Sequence, residues 1–302
     1  MTREDITFDS DGVPLRGWFY PAAGNTSAAP CVVLAHGWAA TKEMHMDDFA
    51  EVFAAAGLAV VVFDYRGWGT SGVAPGHVRQ EIDPWEQIRD YQNAITYAQA
   101  RSEVHPARIG VWGTSYSAGH AFVLGAIDSR VKAVVGQAPV VSGRAQVEGL
   151  IRIDQVGPTL ALLAQDRLAR ARGAAAGMLP ITSADPAAVS SLPIAASHEY
   201  FEELLRTRDI PAWSNELSLR SMEFVYGYEP GLYLPKIAPT PLLMIVASDD
   251  VVASTVKTLA AYETAAAPKE LVLVTGGHYS LYAGAGFRTA SSSARDFFRR
   301  HL

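Results

Sequence analysis

A serine becomes a nucleophile when a base can take its proton and the chain lifts its hydroxyl into reach. The stretch Gly113-Thr114-Ser115-Tyr116-Ser117-Ala118-Gly119 has that character, with a strand expected at 108–112 before it and a helix at 116–127 after it. A serine on a tight strand-to-helix turn stands above the end of its sheet, and small neighbours let the turn close. The helix that follows presents its N-terminus, where the dipole favours developing negative charge. The pattern G-x-S-x-G is imperfect, because Ser117 stands where the second glycine belongs. A second register makes Ser117 the nucleophile, with Gly119 two residues beyond it. Ser115 is preferred, since it lies nearer the strand end and Gly113 precedes it by two.

Acyl transfer also needs two backbone donors aimed at the forming oxyanion. The amide after the nucleophile, that of Tyr116, is one. His36-Gly37-Trp38, directly after the apolar run 31–35, is the expected source of the other, with Gly37 letting the chain turn so that the Trp38 amide points inward. The base is expected at His278, in Thr275-Gly276-Gly277-His278-Tyr279, just past the apolar run 271–274. Its ring needs a carboxylate to fix the tautomer and stabilise the imidazolium. Asp249 and Asp250, after the run 242–247, are both placed to supply it. His45, His77, His105, His198 and His301 sit in polar or amphipathic stretches and are expected to be solvated, and His120 to pack within its helix. No HxxxH or comparable ligand spacing occurs, and the one cysteine, Cys31, excludes an intrachain disulfide and a Cys-based zinc site. Neither a metal nor a cofactor is expected.

These groups need elements to hold them. Residues 4–20 read as a hairpin: Ile6 and Phe8 alternate with polar neighbours, Asp11-Gly12 makes the turn, and 15–20 runs back. A polar loop at 24–30 leads to the run 31–35. Thr41 is expected to cap a helix reaching Ala56, with Met44, Phe49, Val52 and Phe53 on one side. The run 58–63 is apolar throughout, as in a strand covered on both faces. Helix 84–101, strand 108–112, helix 116–127 and strand 131–135 continue the alternation. It fails between 140 and 238, where several helices are expected, broken at Gly157-Pro158, Gly173, Pro180, Pro186, Pro193 and Pro211. It resumes with strand 242–247, helix 255–266, strand 271–275 and a last helix ending near Arg300. This rhythm predicts an α/β fold: a mostly parallel, doubly wound sheet with an antiparallel N-terminal hairpin. The core is expected over 1–139 and 239–302, and a helical insertion over 140–238.

The motifs VVLAHGW, VVFDYRGWGTSG, RIGVWGTSYSAG, PLLMIVASDDVV and TGGHY together resemble the α/β-hydrolase family over essentially the whole chain. Serine, acid and histidine follow the order which that fold uses, each at the C-terminal end of a strand. The resemblance is to a branch of bacterial and fungal lidded hydrolases that includes polyketide-associated esterases, thioesterases and acyltransferases, many with GTSxS elbows. It implies Ser115 as nucleophile, Asp250 as the triad acid, and the amides of Trp38 and Tyr116 as the oxyanion hole. It further implies that the loop Asp64-Tyr65-Arg66-Gly67-Trp68-Gly69 is structural and that 140–238 is a lid.

The implied activity is cleavage of an ester or thioester, with acyl transfer to water, on an apolar or aromatic small molecule. An acyltransferase, a lactonase or a C–C bond hydrolase would use the same triad. Epoxide hydrolases and haloalkane dehalogenases need a carboxylate where Ser115 stands. A binding protein that keeps the fold without the chemistry would lack a triad member, and none is lacking. Met178, Tyr200, Phe201, Trp213, Met222, Phe224, Tyr226, Tyr228 and Tyr233 offer an apolar lining from the insertion, and Arg144, Arg152, Arg206, Arg208 and Arg220 offer charge for an acidic group.

The 302 residues are 49% hydrophobic and 19% charged, enough for a large core without staples, which excludes intrinsic disorder. With 25 basic against 31 acidic residues the net charge is −6, and a nucleic-acid partner is disfavoured. The longest apolar run, 52–63, is shorter than the roughly 18 residues a membrane span needs, and the N-terminus lacks the apolar core of a secretion signal. A cytoplasmic protein acting on a small molecule is expected, and the sequence leaves room for a homodimer.

Overall fold

The computed structural model describes residues 3–24, 27–185 and 187–302. Pro186 and part of the polar loop at 24–30 therefore lie outside the described residues. The chain begins with β1 (Glu4–Ser10) and β2 (Val13–Tyr20), joined by Asp11 and Gly12 at φ 52° and 83°. Two successive left-handed residues match the twist of the strands they join. There follow β3 (Ala29–Ala35), α1 (Met46–Ala55), β4 (Ala59–Phe63), α2 (Pro84–Ala100), β5 (Val104–Thr114), α3 (Tyr116–Ile127) and β6 (Val131–Gln137). The chain then leaves the sheet for α4 (Gly143–Leu150), α5 (Ile153–Ala171), β7 (Met178–Leu179), α6 (Ala195–Thr207), β8 (Leu217–Ser218), α7 (Leu219–Tyr226) and a 3-10 helix, Pro230–Lys236. It returns as β9 (Leu242–Ala247), α8 (Thr255–Thr264), β10 (Lys269–Val274), a second 3-10 helix, His278–Tyr282, and α9 (Gly284–His301).

Eight strands form one sheet in the order β1-β2-β4-β3-β5-β6-β9-β10, parallel except for the hairpin strands. Successive side chains of a strand face opposite sides, and every residue of β3, β4 and β9 is buried. Val32 and Leu34 of β3 pack with Phe49 and Phe53 of α1 and Phe297 and Phe298 of α9. Val33, between them, packs with Tyr91 and Ile95 of α2 and Phe122 of α3. Helices on both faces explain why these strands are apolar without alternation. The chain steps outward from β3 to β4, then returns to β5 on the other side of β3. The C-terminal ends of β3 and β5 are neighbours there, with Ala35 opposite Gly113. A reversal of this kind opens the crevice in which open α/β sheets place their ligands.

Three expectations change. Helix α1 starts at Met46, and residues 42–45 are turns. The cause is long-range: the buried Asp64 carboxylate takes the Lys42 amide at 2.7 Å and its ammonium at 2.6 Å, which holds this segment out of the helix. Helix α5 runs through Gly157-Pro158 instead of breaking there. Pro158 falls in the second turn, where its ring costs one backbone bond, to the carbonyl of Asp154. The insertion also contains the antiparallel pair β7–β8, too short to leave an alternating pattern in the sequence. No helix among the described residues is long and apolar enough to cross a membrane.

Candidate active site

Ser115 sits between β5 and α3 at φ 56°, ψ −115°, a conformation a non-glycine residue keeps only when its surroundings enforce it. Its amide donates to the Gln137 carbonyl at 2.8 Å, and its carbonyl accepts from Ala118 and Val140 at 3.2 and 3.1 Å. Two glycines make the room. A Cβ on Gly113 would overlap the Ser117 carbonyl. One on Gly37 would stand 3.0 Å from Ser115 Cβ and 3.1 Å from the Thr114 carbonyl, so a side chain there would crowd the serine that the loop after β3 lies against. Ser117 faces elsewhere. Its hydroxyl donates to the His36 carbonyl and lies 2.7 Å from the Tyr65 hydroxyl.

His278 opens the 3-10 helix after β10, with Nδ1 2.7 Å from Asp250 Oδ2. Asp250 Oδ1 accepts the amides of Val252 and Ala253 at 2.8 and 2.7 Å. A carboxylate engaged in this way accepts the Nδ1 proton and leaves Nε2 as the free proton acceptor. Asp249 is exposed, its carboxylate taken by the Ser248 hydroxyl at 2.6 Å. The structure thus brings Asp250 and His278 together and leaves Asp249 outside.

The loop after β3 is held by its own histidine. His36 is buried, and burial lowers its pKa to about 4, so the ring is neutral. Its Nδ1 lies 3.1 Å from the Gly37 carbonyl, which makes Nδ1 the protonated nitrogen. That carbonyl and the Trp38 N–H belong to one planar peptide unit, so fixing the first fixes the second. Neither the Trp38 nor the Tyr116 amide donates to another group among the described residues. The Trp38 and Tyr116 rings meet edge to face at 5.1 Å, and Trp38 Nε1 donates to Ser191 Oγ at 3.1 Å.

Ser115 and His278 line one pocket with Trp38, Met44, Met46, Tyr116, Tyr200, Phe201, Tyr279 and Tyr282. The insertion adds Gln146, Val147, Leu150 and Ile151 from α4 and its end, Ser191 and Leu192, and Met222 and Val225 from α7. Among the described residues, no lysine, arginine, aspartate or glutamate lines it. Of the insertion residues expected as lining, Tyr200, Phe201 and Met222 are there; Met178, Trp213, Phe224, Tyr226, Tyr228 and Tyr233 are not. Trp213 instead stacks on Phe201 and donates to the Ala39 carbonyl, and Tyr228 bonds His120 at 2.8 Å. The α4 residues were missed, although their spacing of three and four marks one helix face.

Arg144, Arg152, Arg206, Arg208 and Arg220 pair with Glu148, Asp154, Glu203, Asp47 and Asp48, and Glu81 respectively. None reaches the pocket. His120 is packed as expected, between Tyr228 and Gln87, and His77 and His105 are exposed. His45 is not solvated: it is half-buried, bonded to Asp48 at 2.8 Å and stacked on Tyr200. His198 and His301 are also half-buried.

Residues 26–282 match the family model described as serine aminopeptidase, S33. The chain is 31% identical over 98% of its length, and 94% of the relative's, to the quorum-quenching protein AidA of Acinetobacter baumannii. It is 26% identical to a thiohydrolase of Eupenicillium brefeldianum, covering 98% of this chain and 94% of the other. Among solved structures, the alpha/beta hydrolase GrgF from a Penicillium species superposes with a TM-score of 0.86 at 27% identity, over 100% of this chain and 99% of that one.

Proposed function

The chain belongs to the serine aminopeptidase S33 family of α/β-hydrolases, and from that premise we propose that it cleaves a neutral, largely apolar ester or thioester with Ser115, His278 and Asp250 as its triad. The observation that carries this reading is the 2.7 Å contact between Asp250 and His278 beside a strained, pocket-lining Ser115. In the proposed reaction His278 Nε2 takes the Ser115 proton as Oγ attacks the substrate carbonyl, and the amides of Trp38 and Tyr116 receive the oxyanion. Collapse of the tetrahedral species breaks the bond to the alkoxide or thiolate, which leaves with the proton from His278. Water, deprotonated by the same ring, then attacks the acyl-enzyme, and the second tetrahedral species breaks its bond to Ser115 Oγ, which takes the proton back from His278 as the acid leaves.

The charge-free lining supports a neutral substrate, because an ion brought there would lose its hydration without a partner. We further propose that the segment 140–238 acts as a lid, since α4 and α7 supply much of the apolar wall. Transfer to an acceptor other than water is a second reading, favoured by the seclusion of Ser115 and His278, which are 8% and 5% exposed.

A fluorophosphonate probe followed by peptide mapping tests the nucleophile, with the label expected on Ser115. Label on Ser117, or none, refutes the assignment. Graded p-nitrophenyl esters and acyl thioesters, with and without added alcohols or thiols, then separate hydrolysis from transfer.

A further inference from the structure

Ser117, which displaces the second glycine of the elbow pattern, has no part in the chemistry above, yet its hydroxyl is buried and doubly engaged. It donates to the His36 carbonyl, and the Tyr65 hydroxyl lies 2.7 Å away. A hydroxyl carries one proton and a carbonyl only accepts. The Ser117 proton therefore goes to His36, and the Tyr65 phenol donates to Ser117. Burial pushes the Tyr65 phenol well above its ordinary value, so it keeps the proton that this relay uses. Tyr65, Ser117 and His36 are each 1% exposed, so the relay is shut off from bulk water.

The relay acts on a flexible point. The His36 carbonyl belongs to the peptide unit before Gly37, and the Gly37 carbonyl, held by His36 Nδ1, to the unit after it. Glycine is where adjoining peptide planes turn most freely. Here each of the two planes is held by one buried donor, and the second plane carries the Trp38 amide. The same relay ties that loop to the first turn of α3, whose first residue is Tyr116.

We propose that Ser117, backed by Tyr65, is a positioning residue that sets the spacing and aim of the Trp38 and Tyr116 amides. This rests on the reading of Ser115 as nucleophile. An oxyanion draws more on well-aimed donors than a ground-state carbonyl does, so a misaimed amide costs turnover and spares substrate binding.

The test uses Ser117→Ala and Tyr65→Phe, each first checked for folding by its thermal transition. For each, kcat and KM are measured on a p-nitrophenyl ester, together with inhibition by an alkyl boronic acid that forms a tetrahedral adduct on the serine. Loss of a whole oxyanion donor costs about 10²- to 10³-fold in kcat, and a misaimed one about 10- to 100-fold. Ser117→Ala should show the smaller loss, with boronate affinity falling in parallel and KM within about twofold of the wild type. Tyr65→Phe should show a weaker loss with the same split. Unchanged kcat in folded Ser117→Ala, or a rise in KM alone, overturns the proposal. Should Ser117→Ala not fold, Tyr65→Phe is judged by the same criteria. Wild-type protein that takes no fluorophosphonate label at Ser115 sinks the nucleophile reading and the relay with it. A labelled wild type with unaffected variants sinks the relay alone.

Discussion

Asp250 holds His278 with one carboxylate oxygen and its own turn with the other: Oδ2 meets Nδ1 at 2.7 Å, and Oδ1 takes the amides of Val252 and Ala253. Its neighbour Asp249 faces solvent. An asparagine at 250 keeps the shape but offers an N–H where the ring needs an acceptor, a change that costs on the order of 10⁴ in kcat in one protease. Asp250→Asn is expected to lose turnover on that scale, and Asp249→Asn to stay within about twofold. Initial rates of the two folded variants decide it. A crippled Asp249→Asn beside an active Asp250→Asn would falsify the assignment.

Gly113→Ala places a Cβ on the Ser117 carbonyl, and the turn that carries Ser115 must open to accept it. Overpacking of this kind typically costs about 1–3 kcal/mol. The variant is expected to melt earlier and to react more slowly with a fluorophosphonate. Native melting together with a native labelling rate would contradict the role given to this glycine.

The α4 face gives a handle on selectivity. Val147→Phe fills part of the apolar pocket and changes no charge and none of Ser115, Asp250 and His278. In a hydrophobic pocket one methylene too many costs roughly 10- to 200-fold in discrimination. For Val147→Phe, kcat/KM on medium-chain p-nitrophenyl esters should fall by at least about tenfold relative to the acetate. An equal loss along the whole series would remove α4 from acyl selection.

Acid should weaken the fold through two buried histidines. Burial lowers His36 to about 4 and His120 to about 3, against an ordinary value of 6.5. As pH falls below about 6.5 the unfolded chain takes up these protons and the folded chain does not. Stability present above that pH is therefore lost toward 4 for His36 and toward 3 for His120, at up to about 1.4 kcal/mol per pH unit for each. Asp64, raised by burial to about 6, acts in the opposite sense between about 6 and 3.8. His120→Gln isolates one contribution. In urea unfolding between pH 6.5 and 4 its stability should fall less steeply than the wild type's, and equal slopes would rule the effect out.

The alternating core was legible because β3, β4 and β9 are apolar on both faces while helices such as α1 and α2 carry their apolar residues on one side, a contrast that survives without any tertiary knowledge. Ser115 was legible as a small-residue turn between two such runs. What the sequence hid depends on contacts made across the fold. Thr41 looks like a helix cap, but Asp64, on another strand end, takes Lys42 and delays α1 to Met46. Composition points to the aromatic residues of the insertion, of which Tyr200 and Phe201 do line the pocket, but not to the plain aliphatic face of Val147, Leu150 and Ile151 beside them. Nothing local separates Asp249 from Asp250; the difference is made by where β9 ends and by which carboxylate accepts the amides that follow.

The chain leaves the sheet after Gln137 and comes back at Leu242 beside the very strand it left, with Leu242 opposite Val134. Closing such an excursion costs free energy that grows only with the logarithm of its length, about 0.6 kcal/mol for each doubling. The stretch can therefore be lengthened, trimmed or exchanged over generations with little strain on the sheet. Ser115, Asp250 and His278 all lie outside it. Heritable change in the part of the pocket wall that α4 and α7 supply can thus accumulate on one stretch of the gene while the codons for Ser115, Asp250 and His278 stay unchanged on others.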